Sequence, residues 1–394
     1  MKILVAMSGG VDSAVAASLL LDQGHQVEGV YMHLAKAHDL IQTKNYSKSA
    51  DNTDDAKKIA DILNIPLHIW DLEQEFRKNV IQSFLDEYQA GHTPNPCVRC
   101  NETTKIKLLV ERAAQEGFEK VATGHWARTG IRWQRAEDRG QRAEDRNNDD
   151  YFSATARANG AGSSIRSKNL KKTQLLRAMN RAKDQSYVLA RIGQENLDRL
   201  VLPLGEIADK AEVRAIAKAK GFPLFDKPDS QDICFLTRGE KNQFLEQQLG
   251  AKPGPIVDRQ GTVLGEHRGY FLYTIGQRTG LKIQSAPADG QPRYVVELDP
   301  AHNRVIVGGR AELETSQAVV RDIINYEPLE TGQVFDCQIR AHTKTVPARL
   351  TSLANQAGIL SAETDQQFLA VAAGQNLVGY QNRRVIFSGI LTTP

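Results

Sequence analysis

Ser8-Gly9-Gly10-Val11-Asp12-Ser13, reached from the short run Lys2–Met7 and followed by helical apolar spacing over Asp12–Gln23, decides how this 394-residue chain is read. The five apolar residues Ile3 to Met7 suit a buried strand, and Gly24 ends the helix that follows. A loop between a strand and a helix aims backbone N–H groups at an anion, with the helix dipole behind them. Two glycines remove two Cβ atoms, so a phosphate can come close to the backbone. Ser8 and Ser13 can add hydrogen bonds. The loop has no lysine and no G-x-x-x-x-G-K-[ST] pattern, so it is not a Walker A site. It suits a site that releases pyrophosphate and keeps AMP. The plainer alternative is an ordinary strand-to-helix turn.

Working outward, Gln26–His33 reads as a strand, Asp54–Leu63 as a helix and Pro66–Trp70 as a third strand. This βαβ alternation predicts a parallel sheet covered by helices on both faces. Helices over Glu73–Gln89 and Lys105–Gln115 flank the turn-rich stretch Gly91–Asn101, and the strand Lys120–Thr123 leads to Gly124-His125. Ile131 to Leu170 holds Gln-Arg-Ala-Glu-Asp-Arg twice amid Asn, Asp, Ser, Gly and Ala; too little apolar surface is available there to offset ordering, so a mobile insertion is expected. Ile207–Lys220 reads as a helix. Beyond Gly250 come turns and short strands, ending in β-runs such as Val334–Ile339, Leu377–Tyr380 and Val385–Ile390. The expected architecture is an α/β domain with a parallel sheet over residues 1–238, a small central domain over 239–312 and a C-terminal β-barrel over 313–394.

Lys plus Arg is 50 and Asp plus Glu is 47, a net charge of +3, which excludes a generally basic nucleic-acid binder but not a local basic site. Four cysteines, Cys97, Cys100, Cys234 and Cys337, are too few for a disulfide scaffold and indicate a reducing compartment. With no signal-peptide pattern and no apolar stretch near 18 residues, a cytoplasmic protein free of the membrane is expected. Cys97 and Cys100 form a C-x-x-C behind Thr93-Pro94-Asn95-Pro96. A helix starting near Asn101, with Arg99 adjacent, would lower the Cys100 thiol pKa. Cys337 alternates with apolar residues and reads as a buried small hydrophobe. For Cys97, Cys100 and Cys234 three readings stand: persulfide transfer resolved by disulfide formation, a three-cysteine metal or iron–sulfur site, and an inert or structural set.

The Ser8–Ser13 loop resembles the PP-loop of ATP pyrophosphatases, which adenylate an oxygen of their substrate. Together with the cysteines, Ala122-Thr123-Gly124-His125, Lys183-Asp184-Gln185-Ser186-Tyr187, Asp229-Ser230 with Ile233-Cys234-Phe235, Gly265-Glu266-His267 and Tyr273-Thr274-Ile275-Gly276-Gln277-Arg278, the chain is similar to the tRNA-specific 2-thiouridylases (MnmA/TrmU family), all but the insertion included. The resemblance implies an adenine nucleotide alpha hydrolase-like first domain. It implies ATP with Mg2+ bound by Ala6, Met7, Ser8, Gly9, Gly10, Val11, Asp12, Ser13, Met32 and Gly124, with no dedicated protein metal site. It gives Cys100 as nucleophile and Cys234 as persulfide carrier, adenylating O2 of a tRNA wobble uridine and replacing it with sulfur. Asn95, Pro96 and the position of Cys97 match the contact with the target base. Some members carry Asp where Cys97 stands, so Cys97 is an auxiliary thiol or a ligand of the cluster alternative. Implied partners are tRNAs of the Lys, Glu and Gln type and a sulfur donor such as a cysteine desulfurase or relay protein.

The expected tRNA surface comprises His125, Lys183, Asp184, Gln185, Arg340, Ala341 and Gln375. His92 stands where a basic residue is common in the family, and Ala341 where an aromatic is. His125 alone could equally be a hydrogen-bonded structural histidine. Arg166, Lys168, Lys171, Lys172, Arg177, Arg181 and Lys183 form a run without an acidic residue, and Arg340, Lys344 and Arg349 a second patch; such clusters bind phosphates without regard to sequence. Two rivals remain at this point: a PP-loop ligase or amidotransferase needing no cysteine, and an RNA-binding protein with a degenerate nucleotide site.

Overall fold

The computed structural model describes residues 1–34, 52–134, 170–227, 233–236, 239–283, 290–363 and 366–392. Most of the expected insertion, 135–169, lies outside them, as do Asp229 to Asp232.

Ile3, Leu4 and Val5 are fully buried and make β1 (Lys2–Ala6) the centre of a sheet. α1 (Val11–Asp22), β2 (Gln26–His33), α2 (Thr53–Leu63) and β3 (Leu67–Asp71) follow. Next come α3 (Glu73–Phe76), a π-helical stretch Arg77–Gln82 and α4 (Ser83–Gln89). α5 (Pro96–Cys100), a second π-helical stretch Asn101–Lys105 and α6 (Ile106–Gln115) run on end to end. β4 (Lys120–Ala122), β5 (Ala127–Gln134), β6 (Leu170–Arg177), α7 (Ser186–Leu189), α8 (Gln194–Arg199), β7 (Leu200–Val201), α9 (Lys210–Ala219) and α10 (Glu240–Leu249) complete the first half.

The first sheet has the order β3-β2-β1-β4-β7, all parallel. Successive strand residues face opposite sides. Leu4 therefore joins one buried cluster with Val30, Leu109 and Val121, while Ile3 and Val5 join another with Val15, Ala16 and Phe222. The strand order reverses between β1 and β4, and ligands of open α/β sheets bind at such a switch point, beyond the carboxyl ends of the strands.

The central strands β8 (Gly254–Val257), β9 (Val263–His267), β10 (Tyr294–Asp299) and β11 (Arg304–Gly308) form a sheet ordered β10-β11-β8-β9. Its core also takes in Phe76, Phe84 and Cys100 from the first domain and Phe235 beside Cys234. The C-terminal strands are β12 (Glu314–Thr315), β13 (Gln317–Asn325), β14 (Val334–Gln338), β15 (Val346–Ala354), β16 (Ala357–Ala362), β17 (Phe368–Leu369), β18 (Asn376–Gln381) and β19 (Arg384–Thr392). The order β13-β16-β15-β14-β18-β19, closed by pairing of β13 with β19, makes the expected barrel.

Two expectations are corrected. The helix of the cysteine segment starts at Pro96, not near Asn101: Asn95 caps it by accepting the Val98 N–H at 3.2 Å, and a proline fits the first helical position. Residues 131–134 belong to β5, which pairs antiparallel with β6 and reaches the barrel through Arg384 opposite Leu176. The polar composition of the insertion hid this hairpin. Among the described residues no helix is long and apolar enough to cross a membrane.

Candidate active site

β1 runs one residue past its end, Met7 N–H donating to the Val30 carbonyl at 2.8 Å, and the chain then turns at Gly9. Gly9 has φ +69°, and a Cβ there would lie 2.6 Å from the Asn52 carbonyl oxygen, so both backbone and space demand glycine. Gly10 is extended and caps α1 without a side chain. Ser13 Oγ donates to the Gly10 carbonyl (3.0 Å), accepts from Ser8 N–H (3.1 Å) and lies 3.3 Å from Ser8 Oγ. The first N–H groups of α1 thus open onto a bare loop, the geometry that takes a phosphate. Gly124, after β4, presses on this turn: a Cβ there would meet Ser13 N at 2.7 Å. Ala6 and Met32 are half-buried at the ends of β1 and β2 and pack on the first core.

Two lysines that were not foreseen brace the loop from distant sequence. Lys210 Nζ binds Asp12 Oδ1 at 2.5 Å while Trp126 Nε1 donates to Oδ2 at 3.2 Å. Lys227 Nζ donates to Asp55 Oδ2 (2.8 Å), Asn52 Oδ1 (3.0 Å) and the Gly9 carbonyl (3.4 Å).

Cys100 and Cys234, 134 positions apart in the chain, come side by side, close enough for one sulfur to share the other's proton. Cys100 is buried, whereas Cys234 is exposed to solvent and crowded by its neighbours. The expected depression of the Cys100 pKa is reversed. Its bond to Cys234, then burial, raise Cys100 well above an ordinary thiol, whereas accepting that bond brings Cys234 down to about 6, helped by Lys105 and opposed by burial. The pair shares one proton, and Cys234 is the member that loses it first. Cys100 is the fifth residue of its helix, and the dipole field fades within the first turn. Arg99 points elsewhere, donating to the Asn79 carbonyl at 3.3 Å. Cys97, in the first turn, is pushed up to about 11 by burial and by Cys234 despite Lys105.

Lys105 is the cation of this site. Burial lowers its pKa, but Cys234, Cys100 and Cys97 together outweigh burial and raise it. The cause of its placement is local. Thr103 Oγ1 donates back to the Arg99 carbonyl at 2.8 Å, a competition that bends helices, and the chain widens into a π turn. That spacing brings residues five apart, Cys100 and Lys105, close to one face. His125 faces the same ammonium. Burial, then Lys105, lower its pKa to about 4, so the imidazole is neutral, with Nδ1 2.8 Å from Thr123 Oγ1. Phosphate loop, Gly124, His125, Lys105 and the cysteines form one continuous constellation.

The expected RNA residues divide. Asn95 is the helix cap and Pro96 the first helical residue. Asp184 turns inward, accepting from Arg177 Nη1 (3.1 Å), Ala178 N–H (3.0 Å) and Ser186 Oγ (3.0 Å). Gln185 exchanges hydrogen bonds with the Trp126 backbone, its Oε1 accepting at 2.8 Å. Lys183 is half-buried beside the exposed Arg181. Arg340 Nη2 donates to the carbonyls of Ile275 (3.0 Å) and Ala370 (2.8 Å), and Ala341 packs on the first core. Gln375 Nε2 donates to the Thr93 carbonyl at 2.7 Å. Of the basic run, Arg166 and Lys168 lie outside the described residues; Lys172 binds the Tyr326 carbonyl and Arg177 stacks 3.4 Å over the Tyr380 ring. Arg349 is exposed but bound to Glu363 (2.8 Å), and Lys344 is exposed as well. Far from a continuous basic face, these side chains mostly join parts of the protein. His33, Asp71 and Glu73 bring ligand atoms within 4.8 Å of one another, but Glu73 is already paired with Arg77 at 2.5 Å.

Three family models cover the chain: a tRNA methyl transferase HUP domain over residues 1–161 and 153–238, a tRNA methyl transferase PRC-barrel domain over 242–309 and an aminomethyltransferase beta-barrel domain over 321–391. The chain is 41% identical to the tRNA-specific 2-thiouridylase MnmA of Beutenbergia cavernae, over 98% of this chain and 93% of that protein. It is 40% identical to the protein of the same name from Roseiflexus castenholzii, over 98% of each. It is 38% identical to that of Paenarthrobacter aurescens, over 98% of this chain and 96% of that one. Phosphate loop, paired cysteines and similarity over the whole length agree: the chain belongs to the tRNA-specific 2-thiouridylase family.

Proposed function

We propose that this enzyme is an ATP-dependent tRNA-uridine 2-sulfurtransferase in which Cys234 carries the incoming sulfur and Cys100 resolves it. The observation that carries the reading is the side-by-side placement of Cys100 and Cys234, a buried thiol against an exposed one. Uridine O2 attacks the α-phosphorus of ATP; the bond to the bridging oxygen breaks, pyrophosphate leaves, and the N3 proton goes to water. The terminal sulfur of a Cys234 persulfide adds at C2, and the C2–O bond breaks with its electron pair to AMP. The base is then joined to Cys234 through a disulfide. Cys100 attacks the Cys234 sulfur, the S–S bond breaks toward the base, N3 regains a proton and 2-thiouridine leaves. The remaining Cys100–Cys234 disulfide takes two electrons from a thiol reductant before the next cycle. Adenylation turns a poor leaving oxygen into a good one, and a low-pKa sulfur meets it.

The residues fit ATP: the bare Gly9–Gly10 loop, the start of α1 and the close approach of Gly124 leave phosphate-binding N–H groups without side chains over them. Asp12 already accepts from Lys210 and Trp126, so Mg2+ would be held chiefly through the phosphates, as that ion commonly is. They fit an iron–sulfur cluster less well. The three free thiols lie close together, but the buried Lys105 ammonium sits among them and would face the positive charge of the iron. Protein purified without air is expected to be iron-free and to thiolate from a persulfide donor.

Unmodified tRNA with ATP, Mg2+ and a persulfide source should yield 2-thiouridine, AMP and pyrophosphate, read by nucleoside and nucleotide analysis. Cys100→Ser should trap the base–Cys234 adduct, and Cys234→Ser should abolish sulfur incorporation. Full thiolation by the double variant would point instead to an adenylating enzyme without cysteine chemistry.

A further inference from the structure

The cysteine site holds a third thiol that the two roles above leave unused. Cys97 is half-buried and free, in the first turn of α5 and one helical turn before Cys100. Residues three apart share one face of a helix, with Cβ atoms about 5–6 Å apart, and a disulfide needs about 4 Å. The closing movement falls on the first turn, whose N–H groups have no partner within the helix. The charge of Cys234 raises Cys97 and that of Cys97 raises Cys100, so the three sulfurs lie in one another's fields, all facing the Lys105 ammonium. Cys97 and Cys100 stand above the ordinary thiol range and Cys234 below it. A disulfide between Cys97 and Cys100 is therefore the one pairing that leaves the better thiolate free. Once Cys234 is in a disulfide it carries no charge; its share of the rise at Cys97 vanishes while Lys105 stays, which makes Cys97 a readier nucleophile.

We propose that Cys97 is a second resolving thiol, which takes over the disulfide left by sulfur transfer and so releases Cys234 to be loaded again before any reductant arrives. This rests on the sulfur-transfer reading above. The Cys97 sulfur attacks the Cys100 sulfur, the Cys100–Cys234 bond breaks with its electron pair to Cys234, a Cys97–Cys100 bond forms, and the Cys97 proton goes to water. One disulfide replaces another, with no net oxidation or reduction. The direction follows from the leaving group, since the sulfur of lower pKa departs more readily. A thiol reductant then gives two electrons to the C-x-x-C pair, reaching it at half-buried Cys97, because Cys100 is closed to solvent.

The test locates the disulfide. Native enzyme loaded with persulfide turns over once on unmodified tRNA with ATP and Mg2+ and without reductant, is quenched with N-ethylmaleimide and is digested with trypsin. Arg99 lies between Cys97 and Cys100, so the two fall in separate peptides. Early quenches should show the Cys100 and Cys234 peptides linked; later ones should show Cys97 linked to Cys100, with maleimide on Cys234. Resting enzyme oxidised with diamide should reach the same end, whereas diamide-treated Cys97→Ser should keep the Cys100–Cys234 link; the native map decides the matter should that variant fail to fold. A final linkage that still holds Cys234 in the native enzyme by either route, with maleimide on Cys97, overturns the exchange. Turnover that gives neither disulfide nor 2-thiouridine, while diamide still links Cys97 to Cys100, instead defeats the sulfur-transfer reading and leaves the exchange standing.

Discussion

Cys234 stands below the ordinary thiol range because it accepts from Cys100 and faces Lys105. Its alkylation by iodoacetamide should therefore rise with pH around a midpoint near 6, the thiolate being the reacting form above that value. Lys105→Met removes the ammonium and should move the midpoint upward toward an ordinary thiol, while Lys105→Arg should hold it. A midpoint that ignores Lys105→Met would show that the ammonium does not support the thiolate. The sulfur pair was readable in the motifs of Cys97 to Cys100 and Ile233 to Phe235, but its charge was not. Turn residues before Asn101 suggest a helix end next to Cys100, whereas that end lies at Pro96, and a lysine in Asn101–Lys105 looks like any helical lysine until a π turn aims it.

The elements that carry the site are short and depend on single residues. Gly9→Ala would put a Cβ at φ +69° against the Asn52 carbonyl. The left-handed backbone alone costs about 1–2 kcal/mol, and a loop that relaxes to relieve it must be rebuilt on binding, so affinity for ATP should fall about five- to thirtyfold in a calorimetric titration. Asn95 offers a different test, because the family resemblance gives it to the target base while the structure uses it as a cap. Loss of that cap in Asn95→Ala should cost about 1 kcal/mol in urea unfolding. Asn95→Asp keeps the accepting oxygen and the stability, so any loss of thiolation in that variant reports on the base. Elements with unbroken apolar runs, such as β1 and β2, were legible at once. The two-residue strand β7 was not, since Leu200-Val201 alone carries no periodicity, and the β5–β6 hairpin was masked by the polar stretch its strands enclose.

Across the whole molecule, the barrel holds the cysteine segment. Thr93 N–H donates to the Ala373 carbonyl at 2.8 Å, Gln375 Nε2 returns to the Thr93 carbonyl at 2.7 Å, and a Cβ on Gly374 would sit 2.9 Å from His92 Cβ. Arg340 similarly joins barrel to central domain through the Ile275 and Ala370 carbonyls, and burial lowers its pKa. Spacing along a chain does not reveal which surfaces face each other in space, so Arg340 and Gln375, matched to RNA contacts in the sequence, bond in the structure across internal junctions. The two roles separate kinetically. If Gln375 works by fixing Thr93, and through it the turn that sets Cys97 and Cys100, then Gln375→Ala lowers kcat for thiolation severalfold while KM for tRNA and its salt dependence stay put. If Gln375 touches the RNA, KM rises and kcat holds. The hydrogen bond to Thr93, which uses the side-chain amide as donor, favours the first outcome, and steady-state kinetics with one unmodified tRNA at two salt concentrations decides between them.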